Sequence, residues 1–555
     1  MKIALLQSNP TVGDLAGNAR LVREAAQTAS GSGADLLVTS ELVLSGYPPK
    51  DLLLRQGFVA ACDAWVDRLA EELPKSLGVI VGHPTHRGCP PGRVANAASL
   101  IHEGRIVATV HKRLLPNYDV FDERRYFRPA ESISPVAFQG EILGIHICED
   151  AWFHDPSTFY ATDPEHLGDP LAALGRQGAT MFINLSASPF EAGKSHRRHE
   201  LMAYHARHWS IPFLFADQIG GNDDLVFDGQ SFVLNANGAC VASLPAFRPG
   251  LLQVDTGKLP PPQFMLPMPK ESDLHEALVL AIRDYCHKSG FTDCVLGLSG
   301  GVDSALVAYL AARALGPEHV HGLLLPSRYS TDHSVDDAIA LAQRLGIRHA
   351  TIPIDAVHRA YETIPVVSDE LASQPAGLAD QNLQSRIRGA IVMARSNHNG
   401  WLALATGNKS ELAMGYCTLY GDMNGAYAPL ADLYKGEVYA LCEFINESEG
   451  RELIPRNIIV KPPSAELAPN QFDQDTLPPY DVLDAILQGL VEREESVAQL
   501  SRKFPRETVE WIARRLDRNE YKRWQMPPGV KVSPRAYGVG RRMPMAAKCD
   551  GDWTV

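Results

Sequence analysis

Five prolines fall within the eleven residues Leu259-Pro260-Pro261-Pro262-Gln263-Phe264-Met265-Leu266-Pro267-Met268-Pro269, and neither a helix nor a sheet runs through such a stretch. Proline fixes φ and removes a backbone donor, so the segment reads as an extended linker. Asp273 then opens a helical pattern, Asp273-Leu274-His275-Glu276-Ala277-Leu278, with a capping side chain in place. The chain is expected to divide near residue 265 into domains spanning 1–262 and 270–555. Its 555 residues agree with that, since single cores rarely grow past about 250–300 residues.

Both halves read as α/β. The first mixes apolar runs (Leu36-Leu37-Val38, Val79-Ile80-Val81, Met181-Phe182-Ile183) with helical stretches such as Asn18 to Ala29. The second alternates more plainly. Strands are expected at Cys294–Leu298, Val320–Leu325, Ala350–Ile354 and Trp401–Ala405, with helices at Asp303–Leu315 and Ala338–Leu345 between them. Such alternation predicts a doubly wound parallel sheet of the Rossmann-like kind. The stretch from Glu492 to Asp517 is charged and reads as a solvated helical surface.

Composition excludes several classes. Net charge is −13, which argues against a nucleic-acid-binding protein. No run of about 18 apolar residues predicts a membrane span. Met1-Lys2-Ile3-Ala4-Leu5-Leu6-Gln7 enters a strand-like run at once, without a signal peptide's apolar core. Nine cysteines are scattered without CxxC pairs, so the chain is expected to be reduced and cytoplasmic, with no zinc ribbon.

Three reactive groups each follow an apolar run in the first half. Glu41 follows Asp35–Ser40, Lys112 follows Ile106–His111 and Cys148 follows Gly144–Ile147. A thiol becomes a good nucleophile when a neighbour takes its proton, and attack on an amide needs a donor where the oxyanion forms. Glu41 is therefore read as base, Lys112 as oxyanion stabiliser and Cys148 as nucleophile. Spacing alone does not assemble them; the surrounding words do. Thr39-Ser40-Glu41-Leu42, Lys112-Arg113-Leu114-Leu115-Pro116-Asn117-Tyr118, Phe121 to Phe127 and Cys148-Glu149-Asp150-Ala151-Trp152 resemble the nitrilase (carbon–nitrogen hydrolase) superfamily. More closely, they are similar to the glutamine amidase domain of glutamine-dependent NAD synthetases. The resemblance implies a four-layer αββα sandwich, glutamine contacts at Tyr118, Ser188 and Lys194, and Glu123 as a second carboxylate supporting Lys112. Ser188 to Ser195 also imitates a phosphate loop, S-x-x-x-x-G-K-S, but lacks the first glycine on which the tight turn depends. The next word, His196-Arg197-Arg198-His199, reads as helix surface.

In the second half, Ser299-Gly300-Gly301-Val302-Asp303-Ser304 lies between a strand and an Ala/Leu-rich helix. Glycines let backbone N–H groups approach phosphate, and the helix N-terminus adds a favourable dipole. Ser299 and Ser304 offer hydroxyls, and Asp303 offers a carboxylate for Mg²⁺. The word resembles the loop of ATP pyrophosphatases, a class with many acceptors. The acceptor is narrowed by Gln381-Asn382-Leu383-Gln384-Ser385-Arg386-Ile387-Arg388, Ala405-Thr406-Gly407-Asn408-Lys409-Ser410-Glu411 and Lys461-Pro462-Pro463-Ser464-Ala465-Glu466-Leu467, which resemble NAD synthetase. That resemblance implies ATP contacts at Gly297, Leu298, Ser299, Gly300, Gly301, Val302, Asp303, Ser304 and Thr406. It implies Mg²⁺ at Asp303 and Glu411, and deamido-NAD contacts at Asn382, Glu411 and Lys522. Two polyanionic nucleotides also call for counter-charges from among Lys409, Lys435, Lys522 and Lys531.

The expected reaction is a ligation. Glutamine is hydrolysed at Cys148, and the ammonia amidates deamido-NAD activated by ATP, giving NAD, AMP and pyrophosphate. The resemblance also implies a homo-oligomer, an octamer or tetramer, with a sheltered ammonia route. Two rivals stand beside this reading: an amidotransferase with another acceptor, and an inactive first domain attached to an ammonia-only synthetase.

Overall fold

The computed structural model describes residues 1–158, 160, 162, 168–263, 268–364 and 377–547. Two compact units emerge, Met1–Met268 and Pro269–Val555. The expected cut at residue 265 lies outside the described residues.

The first unit holds two six-stranded sheets. One runs, in spatial order, Gly250–Asp255, Lys2–Gln7, Leu36–Val38, Gly78–Thr85, Ala95–His102 and Arg105–His111. The other runs Cys240–Ser243, Phe232–Leu234, Phe213–Asp217, Met181–Ser186, Glu141–Ile147 and Val136–Phe138. Side chains alternate across a strand, and here both faces are apolar. Ala4, Leu37, Val79 and Val81 pack with Ala19, Val22, Val66 and Leu69 of the helices Leu15–Gly31 and Phe58–Glu72. Their neighbours Ile3, Leu5, Leu36, Val38 and Ile80 turn inward to meet Ile145, Ile147, Ile183 and Leu214 of the second sheet. The helices Pro170–Arg176 and Lys194–Trp209 pack on the second sheet, completing an αββα sandwich.

The second unit is built on four parallel strands in the order Arg348–Thr351, Val320–Leu324, Cys294–Gly297, Leu402–Ala403. The first three in the chain add in one direction and the fourth on the other side of the first. Connections therefore leave Cys294–Gly297 and Leu402–Ala403 in opposite senses, which opens a crevice at their carboxyl ends. Leu378–Asn399 covers one face through Ile387 and Val392 against Val295, Leu323 and Ala403. A separate helical core joins Leu412 and Met414 to Leu483, Ile486, Val509, Ile512 and Leu516.

Some boundaries differ from the sequence reading. The strand expected at Ala350–Ile354 is Arg348–Thr351, and Trp401–Ala405 joins the sheet only at Leu402–Ala403, with a single bridge from Leu404 to Tyr427 beyond it. The charged stretch Glu492–Asp517 is broken, with helices at Val497–Leu500 and Arg506–Arg518. Ser496 caps the first, and Pro505 precedes the second. Nor is it merely a solvated surface, because Val509, Ile512, Ala513 and Leu516 are buried.

Candidate active sites

Glu41 and Lys112 leave the same end of the first sheet; Cys148 and Ser186 leave the carboxyl ends of adjacent parallel strands in the second. They meet there. Lys112 Nζ lies 2.7 Å from Glu41 Oε1 and 2.8 Å from Glu123 Oε1, with all three side chains buried. Asn96 donates to Glu41 Oε1 at 2.7 Å, and the Ala187 N–H donates to Glu41 Oε2 at 3.1 Å. Tyr47 donates to Glu123 Oε1 at 3.0 Å. Asp150 latches the two sheets: its carboxylate accepts the N–H groups of Ile147, Arg113 and Leu114, so the Lys112 loop and the Cys148 turn share one anchor. Cys148 itself begins a 3₁₀ turn with φ of +42°. That left-handed backbone costs a non-glycine residue about 1–3 kcal/mol, and such strain is found where a side chain must be aimed.

Burial pushes the Cys148 thiol well above its ordinary range, the Glu41 charge adds to this, and Lys112 pulls the other way. The resting nucleophile is therefore a neutral thiol that must lose its proton as it attacks. Burial works to strip Lys112 of its proton, but Glu123 and Glu41 outweigh it and hold the ammonium well above its usual range. Burial lifts Glu123 to about 7 even against the pull of Lys112. The site thus sets the buried Glu41 carboxyl group against a locked cation, Lys112.

The residues expected to contact glutamine gather around the same turn. Tyr118 donates to Glu149 Oε1 at 2.8 Å, and burial, with the Glu149 charge beside it, holds its hydroxyl well above the usual range. Ser188 is buried, its N–H on Asp217 Oδ1 at 3.0 Å. Lys194 starts the helix Lys194–Trp209, donates to the Pro189 carbonyl at 3.1 Å and stands 5.3 Å from the Trp152 ring centre. The sequence reading passed over Glu149, a buried carboxylate next to the nucleophile, because an acid after Cys148 carries no periodic mark.

In the second unit the loop after Cys294–Gly297 faces a cavity of about 1210 Å³. Small-molecule pockets usually span about 300–1,000 Å³, so this one has room for more than one ligand. The loop Gly297–Ser304, Thr406, Asn382, Glu411 and Lys522 all line it. Gly300 has φ of +77°, and a Cβ there would stand 2.3 Å from the Ser334 carbonyl oxygen, so only glycine fits. Ser304 Oγ donates to the Gly301 carbonyl at 3.0 Å, and Ser299 Oγ accepts the Gly301 N–H at 3.2 Å. These hydroxyls shape the loop as well as facing the cavity.

Asp303 and Glu411 converge on one ammonium: Lys435 Nζ lies 2.6 Å from Asp303 Oδ2 and 3.1 Å from Glu411 Oε1. Asn408 donates to Asp303 Oδ1 at 2.8 Å and caps the helix that carries Glu411. Burial pushes Glu411 up to about 8, Lys435 opposing and Asp303 assisting. Two carboxylates on such a cavity fit a hard cation that takes its other ligands from oxygens of a bound molecule or water. Among the described residues no group of three or more His, Cys, Asp or Glu is arranged to hold a metal by itself.

The carbon-nitrogen hydrolase family matches residues 2–256, and the NAD synthase family matches residues 274–527. A glutamine-dependent NAD(+) synthetase from Synechocystis sp. is 46% identical, over 98% of this chain and 98% of its own. One from Thermotoga maritima is 39% identical over the same shares. The chain belongs to the glutamine-dependent NAD(+) synthetase family. A solved member from Acinetobacter baumannii, in complex with adenosine diphosphate, superposes with a TM-score of 0.76 at 34% identity, covering 98% of each chain.

Within this synthetase, two of the lysines offered as counter-charges turn out to be structural. Lys409 is buried between Asp432 at 2.9 Å and Glu492 at 2.8 Å, and Lys531 is buried with Nζ on the Ser533 carbonyl at 2.7 Å. Neither lines the cavity, whereas Lys435, Lys461 and Lys522 do. Arg386 and Arg388 line it too, from the word already quoted. Arg198, read as helix surface, is buried and bridges Asp217 at 3.2 Å and Asp228 at 2.7 Å. The eight described cysteines are all free.

Proposed function

We propose that this chain makes NAD from deamido-NAD, drawing ammonia from glutamine and energy from the cleavage of ATP to AMP and pyrophosphate. The observation that carries the reading is the pairing, in one chain, of the Glu41–Lys112–Cys148 cluster with a Gly297–Ser304 loop on a cavity sized for two nucleotides. Cys148 Sγ attacks the glutamine carboxamide carbon while Glu41 takes the thiol proton. The Lys112 ammonium donates to the oxyanion. Collapse releases ammonia, protonated through Glu41, and leaves a γ-glutamyl thioester. Water, losing its proton to Glu41, converts this to glutamate and regenerates Cys148. A free amino acid presents both charges: Lys194 suits the carboxylate, and Glu149, held by Tyr118, suits the ammonium. Ser188 closes the same pocket.

In the second unit the nicotinate carboxylate attacks the α-phosphorus of ATP, and pyrophosphate leaves along the N–H groups of the loop and the N-terminus of Val302–Leu315. Mg²⁺ held by Asp303 and Glu411 would neutralise charge on the phosphates. Ammonia then attacks the acyl carbon of the mixed anhydride, and AMP departs. Asn382 and Lys522 hold the dinucleotide, and Thr406 holds ATP. Ammonia in bulk water becomes ammonium, which is not nucleophilic, so the reading requires a sheltered route and suppressed idle hydrolysis. It also places the enzyme in the cytoplasm with ATP, as a homo-oligomer; no helix among the described residues is long and apolar enough to cross a membrane.

The test is NAD formation from deamido-NAD and Mg-ATP with glutamine or ammonium as donor. Cys148→Ala is expected to lose glutamine use and keep ammonium use. No NAD from either donor with the unaltered chain would overturn the acceptor.

A further inference from the structure

The helix Arg506–Arg518 lies in the part of the chain where the family words are thinnest. Glu507, Glu510, Trp511, Arg514, Arg515 and Arg518 all line the cavity. Their spacing of i, i+3, i+4, i+7, i+8 and i+11 is one continuous stripe of an α-helix. The opposite stripe, Val509, Ile512, Ala513 and Leu516, is buried in the helical core. This element is therefore a wall, fixed from behind and presenting an aromatic ring and three cations to the cavity. It packs against Lys409–Met414 and Glu520–Arg523, so it walls the end where Lys522 stands.

The chemistry of the stripe is specific. Trp511 is 37% exposed, and the Arg515 guanidinium sits 5.1 Å from its ring centre, fixed by a 2.9 Å hydrogen bond to the Met414 carbonyl. An indole braced in this way offers a flat face to a base, as stacking sites do. Arg514 is held by Glu510 at 3.0 Å, but Arg518 makes no hydrogen bond or ion pair among the described residues. Lys522, one turn further on, has two of its N–H groups on the Gly415 and Cys417 carbonyls at 2.7 Å each. That leaves Lys522 one N–H for the dinucleotide, too few to match a pyrophosphate alone. A cation beside it with open donors, next to an aromatic face, matches a nucleoside pyrophosphate.

We infer that this stripe binds the adenosine diphosphate half of the dinucleotide acceptor, with Trp511 stacking on the purine and Arg518, aided by Arg514, facing the pyrophosphate. The inference rests on deamido-NAD being the acceptor. It assigns to this helix the discrimination between the two adenine nucleotides that share the cavity: ATP on the loop, the dinucleotide on the wall.

The experiment uses the full chain with ammonium as donor, so that the amidase plays no part. Initial rates are measured while deamido-NAD and ATP are varied in turn, for Trp511→Ala, Trp511→Phe, Arg518→Ala and Arg518→Lys. Stacking and charge of this kind are worth about a tenfold change each. Both alanine variants should raise the KM for deamido-NAD about tenfold, leave the KM for ATP within about twofold, and be partly rescued by Phe and Lys. A deamido-NAD KM that stays put, or an ATP KM that rises in step with it, overturns the assignment. An unaltered chain that makes no NAD overturns the acceptor reading instead, and this inference with it.

Discussion

Glu41 accepts one hydrogen bond from Asn96 and one from the Ala187 N–H while touching Lys112, so its carboxylate is oriented from three sides. That arrangement matters because Cys148 rests as a neutral thiol. Glu41→Gln keeps the shape and removes the proton acceptor. General-base removal costs about 10²–10⁴ in rate, and glutamine-dependent synthesis should fall by that much while ammonium-dependent synthesis is unchanged. In the unaltered chain, iodoacetamide labelling of Cys148 should climb only at pH above the ordinary thiol range, and in Glu41→Gln, which removes one raising charge, it should climb at a lower pH than that. The direction follows from the raised thiol: the thiolate fraction near neutral pH is smaller than for a free cysteine. Each of these residues follows an apolar run, but it was the surrounding words, such as Thr39-Ser40-Glu41-Leu42 and Cys148-Glu149-Asp150-Ala151-Trp152, that drew the three together in the sequence. Arg198 was not legible. One of two adjacent arginines in the charged word His196–His199 looks solvated, and nothing local announces Asp217 and Asp228, nineteen and thirty residues away.

At the scale of elements, the helix Lys194–Trp209 does two jobs one turn apart, placing Lys194 beside the Trp152 ring and Arg198 in the core. Asp217 accepts both Arg198 and the Ser188 N–H, so this buried network also holds the turn that supplies the Ala187 N–H to Glu41. Arg198→Met would leave two buried carboxylates without their cation. Breaking such a pair costs about 3–5 kcal/mol, to be read from denaturant unfolding of the purified chain. The same variant should lose glutaminase activity under conditions where it is still folded. Periodicity found the strand–turn–helix at Cys294–Leu315 because its apolar runs and glycines are contiguous. It misjudged Arg506–Arg518, where an apolar face at 509, 512, 513 and 516 is interleaved with charge, and where the polar face meets a cavity instead of bulk water. It also overran Leu402–Ala403, since an apolar run says nothing about how many residues find a neighbour to pair with.

Across the whole molecule, stability carries an acid liability. Burial lowers His146 to about 3; its Nδ1 lies 2.9 Å from the Gly144 carbonyl oxygen and its Nε2 has no partner among the described residues. The unfolded chain takes up this proton below its ordinary value near 6.5, whereas the folded chain resists until about 3. Stability contributed by His146 is therefore present above pH 6.5 and lost as pH falls toward 3, at about 1.4 kcal/mol per pH unit. His146→Gln should flatten the acid limb by that slope in denaturant titrations at stepped pH. An unchanged slope would show that another group dominates.

The amidase cluster takes its base and cation from one sheet and its nucleophile from the other. Catalytic alignment is thus a matter of how two slabs register across their shared apolar filling, in which Ile145, Ile183 and Leu214 meet Ile3, Leu5 and Val38. A misplacement of about 1 Å can cost about 10²-fold in rate. The filling works as a gauge block: trimming it slightly, far from any reacting atom, dulls the chemistry before it loosens the fold.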